Sequence, residues 1–302
     1  MKGCYMIHRE PNPYAPDPNL KVWIDGEFYA ADQAKISVWD HGLLYGDGIF
    51  EGIRVYNGKI FACTEHLDRF FESACAVRLT LPMTKDEIRS AMSEALKVNG
   101  ITEGYIRLVA TRGVGTLGLS TKYTANPSII IIAATIALYP KELCETGLSL
   151  ITSSYVRNHP NSISPRVKSL NYLSSILAKT EAQLLGAHEA VMFNHLGFVA
   201  ECSGDNIFIV RGGELLTPDT AAGILAGITR NIVMELARKR GITVTEKALV
   251  RDDLYAAHEC FLTGTAAEII AVTSIDGRPI GHGKPGEITN ALKADYKKYR
   301  SR

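Results

Sequence analysis

Two dipeptides constrain the start of this chain more than any other feature. Asp25-Gly26 stands between Val22-Trp23-Ile24 and Glu27-Phe28-Tyr29, and Asn57-Gly58 stands between Ile49–Tyr56 and Lys59–Phe61. Both dipeptides accept the left-handed backbone of a two-residue hairpin turn, and their β-branched and aromatic flanks suit strands. The first part is therefore predicted to form antiparallel hairpins. Helices follow. From Thr64 to about Leu79, Leu67, Phe70, Phe71 and Ala74 share one face, with Thr64 predicted as N-cap. Thr84 and Glu87 have capping-box spacing. The helix they open turns Ile88, Met92, Ala95 and Leu96 inward and stops at Asn99-Gly100. Strands are expected at Tyr105–Thr111 and Ile129–Leu138.

Tyr139-Pro140-Lys141-Glu142 is turn-forming. Residues 139–146 are accordingly read as a linker between a small N-terminal domain, 1–138, and a larger C-terminal domain, 147–302. Beyond it the pattern predicts a strand over Leu148–Val156, a loop with Pro160 and Pro165, and a helix from about Leu170 to Leu185. A hairpin (Glu189–Phe193 with Phe198–Glu201) and a strand, Asn206–Val210, come next, then a turn at Gly212-Gly213. A helix over Ile228–Arg240 ends at Gly241, strands cover Thr243–Lys247 and Glu259–Thr263, and a last helix starts near Pro285. No segment repeats. The fold class is mixed α/β in two domains.

The chain has 302 residues, 46% apolar and 22% charged, with net charge +1. That balance suits a globular protein and supplies no global field to draw it onto nucleic acid or an anionic membrane. The longest apolar run, Ile129–Tyr139, is too short to span a bilayer, and the proline-rich Met1–Asn19 is no secretory signal. Six cysteines are scattered without a C-x-x-C pair. They predict reduced, mostly buried thiols in a cytoplasmic protein rather than a disulfide frame. The eight histidines show no zinc spacing with them, so no metal is expected.

Gly113-Val114-Gly115-Thr116-Leu117-Gly118 spells G-x-G-x-x-G after a strand. A dinucleotide site also needs a helix to begin there. The following residues have no helical apolar period and run into Pro127, so a glycine-rich connection between strands is the better reading. A nicotinamide oxidoreductase or a non-catalytic scaffold remains the alternative from another class.

An ordered set in the second half points to chemistry: Lys168 between a strand-like run and a helix, Glu201, Gly227-Ile228-Thr229 and Gly264-Thr265-Ala266. A neutral lysine attacks a carbonyl to give a Schiff base. The following helix N-terminus and an apolar pocket would favour the neutral amine. Free N–H groups at the Gly227 helix start suit a phosphate, with Thr229 and Thr265 adding hydroxyls and Arg69 a charge. A buried Glu201 would keep a pyridine nitrogen protonated, and Tyr172, four residues beyond Lys168, would bond a phenolic oxygen. Each alone also reads plainly: a solvated lysine, a strand-end acid, a capped helix, a core tyrosine.

Asp40-His41-Gly42-Leu43-Leu44-Tyr45-Gly46-Asp47-Gly48-Ile49-Phe50-Glu51-Gly52-Ile53-Arg54 resembles the early signature of fold-type IV pyridoxal-phosphate enzymes. Glu65-His66-Leu67-Asp68-Arg69 and the Lys168, Glu201, Gly227-Ile228-Thr229 and Gly264-Thr265-Ala266 segments match later signatures in order, over roughly residues 22 to 285. The resemblance implies pyridoxal 5′-phosphate between the two domains, bound covalently to Lys168. It implies that Glu201 meets the pyridine nitrogen and Tyr172 the phenolic oxygen. Arg69, the backbone at Ile228 and Thr229, and the Thr265 hydroxyl would hold the phosphate. Tyr105-Ile106-Arg107 further resembles branched-chain amino-acid transaminases. There Tyr105 and the Thr265-Ala266 turn would hold the substrate α-carboxylate. Arg107 and Tyr45 would take the distal carboxylate of glutamate. Phe50 and Tyr172 would line an aliphatic pocket, and Tyr139 would add a polar contact. The implied partners are amino acids and 2-oxo acids, with a homodimer or higher homo-oligomer. A D-amino-acid transaminase is the runner-up, but its Arg-x-His pair is missing after Thr111-Arg112-Gly113; Arg157-Asn158-His159 stands elsewhere. An (R)-amine transaminase and an aminodeoxychorismate lyase stand behind it.

Overall fold

The computed structural model describes residues 17–136 and 139–301. The first half contains strands β1 (Lys21–Ile24), β2 (Glu27–Ala30), β3 (Gly48–Tyr56), β4 (Lys59–Ile60), β5 (Gly104–Thr111), β6 (Val114–Gly115), β7 (Thr124–Ala125) and β8 (Ser128–Ala134). Its helices are α1 (His41–Tyr45), α2 (Cys63–Ala76) and α3 (Lys85–Val98). Six strands form an antiparallel sheet in the order β2-β1-β8-β5-β3-β4. Both predicted hairpin turns form, with Asp25, Gly26, Asn57 and Gly58 at positive φ. Strand alternation then sorts β3. Ile49, Ile53 and Val55 join Leu67, Phe70, Ile88 and Met92 of α2 and α3 in one core, while Phe50, Gly52, Arg54 and Tyr56 face the other way.

α2 begins at Cys63, entered from Ala62 at φ 48, and no side chain caps it. Thr64 is thus already inside the helix and is not the N-cap. The second helix obeys its signal: Glu87 N–H donates to Thr84 Oγ1 (3.3 Å), and the Thr84 N–H donates to Glu87 Oε2 (2.7 Å). β6 and β7 pair with each other and no helix starts in the glycine run, so that run is a strand connection.

A short helix, α4 (Lys141–Thr146), occupies the segment read as a turn-forming linker. Then come β9 (Leu148–Thr152), α5 (Leu173–Leu184), β10 (Glu189–Phe193), β11 (Val199–Cys202), β12 (Asn206–Arg211), β13 (Glu214–Thr217), α6 (Ile228–Lys239), β14 (Val244–Glu246), α7 (Arg251–Tyr255), β15 (Glu259–Gly264), β16 (Glu268–Ile275), β17 (Arg278–Pro279) and α8 (Glu287–Arg300). These strands make a mixed sheet in the order β11-β10-β9-β16-β15-β12-β13-β14, with β17 beside β16. It is covered on both faces. Ile207 and Ile209 of β12 enter one core with Leu148, Leu150 and Leu262; Phe208 and Val210 enter another with Val233, Met234, Leu292 and Tyr296 of α6 and α8. Burial on both faces explains the unbroken apolar run of that strand.

Several predicted boundaries move. The strand expected over Ile129–Leu138 ends at Ala134, Leu138 lying outside the described residues, and the one expected over Leu148–Val156 ends at Thr152. The helix expected from Leu170 starts at Leu173. Its first three residues cannot be helical because the backbone at 168–170 is bonded to β3: Phe50 N–H donates to Lys168 O (2.9 Å) and Leu170 N–H to Gly48 O (3.0 Å). β13, α7, β16 and β17 were not predicted. Cys202 and Cys260 are buried, but Cys63 and Cys144 are half-buried and Cys75 is exposed, so the thiols are less buried than expected; Cys4 lies outside the described residues. Among the described residues no helix is long and apolar enough to cross a membrane.

The two caps give a paired test. Thr84→Ala should lower unfolding free energy by about 1 kcal/mol, and Thr64→Ala by less than about 0.5 kcal/mol. Urea titrations of both variants check this; equal losses would contradict the assigned helix starts.

Candidate active site

A cavity of 490 Å³ opens between the two sheets. Of the residues singled out in the sequence, Phe50, Arg69, Tyr105, Arg107, Tyr139, Lys168, Tyr172, Glu201, Gly227, Ile228, Thr229, Thr265 and Ala266 all line it. Tyr45 does not. It lies half-exposed on α1, its hydroxyl bonded to the Leu117 carbonyl, and borders a separate depression. The first sheet supplies its wall by alternation. Tyr105 and Arg107 point away from the core residues Ile106 and Leu108, and Arg107 pairs in register with Gly52. A Cβ at Gly52 would fall 1.7 Å from Tyr105 Oη, so any larger residue there would have to push the Tyr105 ring aside.

Lys168 is brought to the cavity by the β3 edge described above, with its own N–H donating to Ser73 Oγ (3.2 Å). Its Nζ lies 3.0 Å from Tyr172 Oη and 4.5 Å from the Phe50 ring centroid. Tyr172 packs edge-on to Phe50, with centroids 4.9 Å apart. Because α5 starts at Leu173, Tyr172 is its N-cap residue rather than one helical turn along a helix from Lys168.

Glu201 is buried within β11. Arg157 grips it through Nε (2.8 Å) and Nη2 (2.7 Å), both to Oε1. Asn206 Nδ2 donates to Oε2 (3.0 Å), and the Leu225 N–H is shared between both oxygens (3.1 Å). Burial pushes the carboxyl above its ordinary range, opposed by Arg157 and the Leu225 N–H. In the sequence Arg157 stands only as part of a misplaced Arg-x-His pair. In the fold it is the counter-charge that a buried acid requires, and that requirement was the signal available.

Arg69 is fixed by a second buried acid. Its Nε and Nη2 donate to Glu51 at 2.7 and 2.8 Å, and its Nη1 donates to Ala226 O (3.1 Å). Burial alone would raise Glu51, but Arg69 and His66 together hold it down at about 2. Glu51 belongs to the early signature, where it carried no expected role. The adjacent helix α6 starts at Gly227 with no side-chain cap, leaving its first N–H groups toward the cavity. A Cβ on Gly227 would fall 2.0 Å from Asn206 Oδ1, which excludes a larger residue there.

These features suit an anionic ring cofactor. An uncapped helix start beside an arginine takes a phosphate. Thr263 Oγ1, buried in the cavity wall, has no partner among the described residues. A lysine amine and a buried carboxylate share the same space.

Residues 48–275 match the amino-transferase class IV family. The chain is 39% identical over 280 residues to a branched-chain-amino-acid aminotransferase of Pseudomonas aeruginosa, covering 91% of each. The crystal structure of the Escherichia coli branched-chain amino acid aminotransferase aligns with TM-score 0.89 at 35% identity, over 93% of this chain and 94% of that one. The T.th. branched-chain amino acid aminotransferase with pyridoxamine 5′-phosphate aligns with TM-score 0.88 at 38% identity, over 92% and 93%. The fold and the site together define a fold-type IV enzyme. This chain belongs to the class IV aminotransferases.

Asp205, also in the cavity wall, gives a pH test. It is buried, and burial followed by the Glu189 charge raises its carboxyl to about 7, against Lys179. The folded form therefore keeps a proton that the unfolded chain releases near pH 4, so this residue lowers stability as pH rises from about 4 to 7. Asp205→Asn should flatten that slope, which is at most about 1.4 kcal/mol per pH unit for one proton. Urea unfolding at pH 5 and 7.5 measures it; an unchanged slope would contradict the assignment.

Proposed function

We propose that this enzyme exchanges the amino group of leucine, isoleucine or valine with 2-oxoglutarate, in two half-reactions at one site. When bound, pyridoxal 5′-phosphate supplies an aldehyde that joins amines and a ring that takes up an electron pair from the substrate carbon. Lys168 Nζ would be the attachment point and, as a free amine, the base that moves the proton at the substrate Cα. The Tyr172 hydroxyl orients that amine and bonds the phenolic oxygen. Glu201, held by Arg157, would meet the ring nitrogen and keep it protonated. Arg69, the N–H groups of Ile228 and Thr229, and the Thr265 hydroxyl would hold the phosphate. Tyr105 and the Thr265-Ala266 turn receive the α-carboxylate.

One observation carries the substrate reading. Among the described residues four cations line the cavity: Arg69, Arg107, Lys168 and Lys179. Arg69 is bound to Glu51, Lys179 to Glu189 (2.8 Å), and Lys168 is the attachment point. Lys168 makes no ion pair among the described residues but bonds Tyr172 Oη (3.0 Å), whereas Arg107 has no ion-pair partner among them. Its Nε is buried without a partner, and its guanidinium lies 4.6 Å from the Phe50 ring centroid. An aliphatic side chain packs on Phe50 and Tyr172, and a distal carboxylate reaches Arg107. This supports one pocket serving both leucine and glutamate.

Two variants test the proposal. Lys168→Ala should keep its fold but lose transamination by at least about a thousandfold; near-normal turnover would rule the proposal out. Arg107→Ala should reduce kcat/KM for glutamate and 2-oxoglutarate by about tenfold or more beyond any loss for leucine, the worth of one charge-assisted contact. Equal losses on leucine and glutamate would mean that the shared pocket is wrong.

A further inference from the structure

The cavity-facing side of β3 continues past the cavity. Phe50 and Gly52 line it, and Arg54 and Tyr56 follow on the same face of the strand. Those two residues meet Glu268. Tyr56 Oη donates to Glu268 Oε1 at 2.6 Å, and Arg54 Nη2 lies 3.6 Å from that oxygen. Arg300, near the end of α8, brings Nε to 3.5 Å from it. The guanidinium of Arg300 also stacks over the Tyr56 ring, 4.2 Å from its centroid. One carboxylate oxygen therefore joins the first sheet, the turn before β16 and the C-terminal helix.

The backbone at this carboxylate is unusual. β15 and β16 pair in register at Gly264 and Glu268, so residues 265–267 form a three-residue hairpin loop. Thr265 and Ala266 of that loop line the cavity. Glu268 closes it at φ 58, a left-handed conformation that such loops ordinarily assign to glycine. A glycine would adopt it without strain. The glutamate offsets its backbone cost only through contacts made outside the hairpin. Breaking a local rule at the mouth of a binding site is a mark of function rather than of stability. Burial, with the nearby Glu268 charge, pushes the Tyr56 phenol far above its ordinary range, so it stays a donor.

We infer that Glu268 is a positioning residue: its carboxylate, braced by Tyr56, Arg54 and Arg300, holds the Thr265-Ala266 turn in the geometry that receives the carboxylate of an incoming acid. The inference rests on the assignment of that turn to the α-carboxylate. Without the brace the hairpin tip keeps only its strand pairing and the packing of Ala267 against the larger sheet's core. Binding of carboxylate ligands then weakens, while the two sheets and the cofactor contacts at Lys168, Glu201 and Arg69 stay in place.

The test uses holoenzyme and 4-methylpentanoate, which has the carbon skeleton and carboxylate of leucine but no amine. Its dissociation constant is read from the cofactor absorbance, beside melting temperature and cofactor content. Glu268→Gly should weaken binding about tenfold, the scale of one charge-assisted hydrogen bond, without lowering the melting temperature. Glu268→Gln, whose amide oxygen still accepts from Tyr56, should recover most of the affinity. Unchanged affinity in Glu268→Gly overturns the inference. So does a loss of affinity that only accompanies lost cofactor and a lower melting temperature in every variant. If the glycine variant does not fold, Tyr56→Phe decides: weaker binding at unchanged melting temperature supports the brace, and wild-type binding overturns it. A wild-type holoenzyme that transaminates no leucine is a failure of the proposed function instead. An active wild type with an equally tight-binding Glu268→Gly is a failure of the brace alone.

Discussion

Glu201 is a carboxylate taken out of water, and much of the larger sheet's site is arranged around keeping it there. Burying an acid without a counter-charge costs several kcal/mol, and removing one partner of such a pair costs about 3–5 kcal/mol. Arg157, Asn206 and the Leu225 N–H come from three separate segments and converge on it. The loop before Lys168, the start of β12 and the loop leading into α6 are thereby tied to one point. Those same segments lead into Lys168 and into the uncapped start of α6. The ion pair thus ties together the segments that bring Lys168, Glu201 and the start of α6 to one cavity. A cation arriving from the cavity side would lower the carboxyl again, because burial is what raised it.

β3 plays the corresponding part in the first sheet, and its two faces carry different duties. On the core face Glu51 turns under α2 and locks Arg69, which reaches across to Ala226 beside the α6 start. On the other face come Phe50, Gly52, Arg54 and Tyr56, running from the cavity to Glu268. Along the strand edge, the backbone at Gly48 and Phe50 receives the Lys168 segment. A one-residue slip of this strand would swap the faces and undo all three arrangements together. Its eight-residue register with β5 resists that slip.

What was legible in the sequence was local. Asp25-Gly26, Asn57-Gly58 and the Thr84–Glu87 box act within a few residues, and each formed as read. The Thr64 cap failed because Ala62, at positive φ just after β4, takes the N-cap position two residues earlier. β16 was missed because its apolar run follows directly on the Gly264-Thr265-Ala266 motif, which reads as a loop rather than as the tip of a hairpin. The ordered set of site residues was legible as types, and the fold gathers all but Tyr45 around one cavity. The pairings that fix them were not. Arg157 and Glu201 are 44 positions apart, Glu51 and Arg69 are 18, and Tyr56 and Glu268 are 212. No period or spacing encodes contacts of that kind; only the sheets bring them together.

Arg107 is a cation in a cavity wall, where a carboxylate partner would ordinarily be needed, yet it makes no ion pair among the described residues. Three features make this tolerable. The guanidinium lies over Phe50 and, at 5.8 Å, within reach of Tyr105, so aromatic faces supply part of what a carboxylate would. It is planar, delocalised and weakly hydrated, which lowers the cost of leaving water. Gly52, opposite in register, leaves room along the strand face. An ammonium has neither of the first two advantages to the same degree. A lysine at this position would hold its water more tightly and present a more polar wall to an aliphatic side chain. The Phe50 ring thus gives the cavity wall an apolar surface and at the same time packs against a guanidinium that makes no ion pair among the described residues.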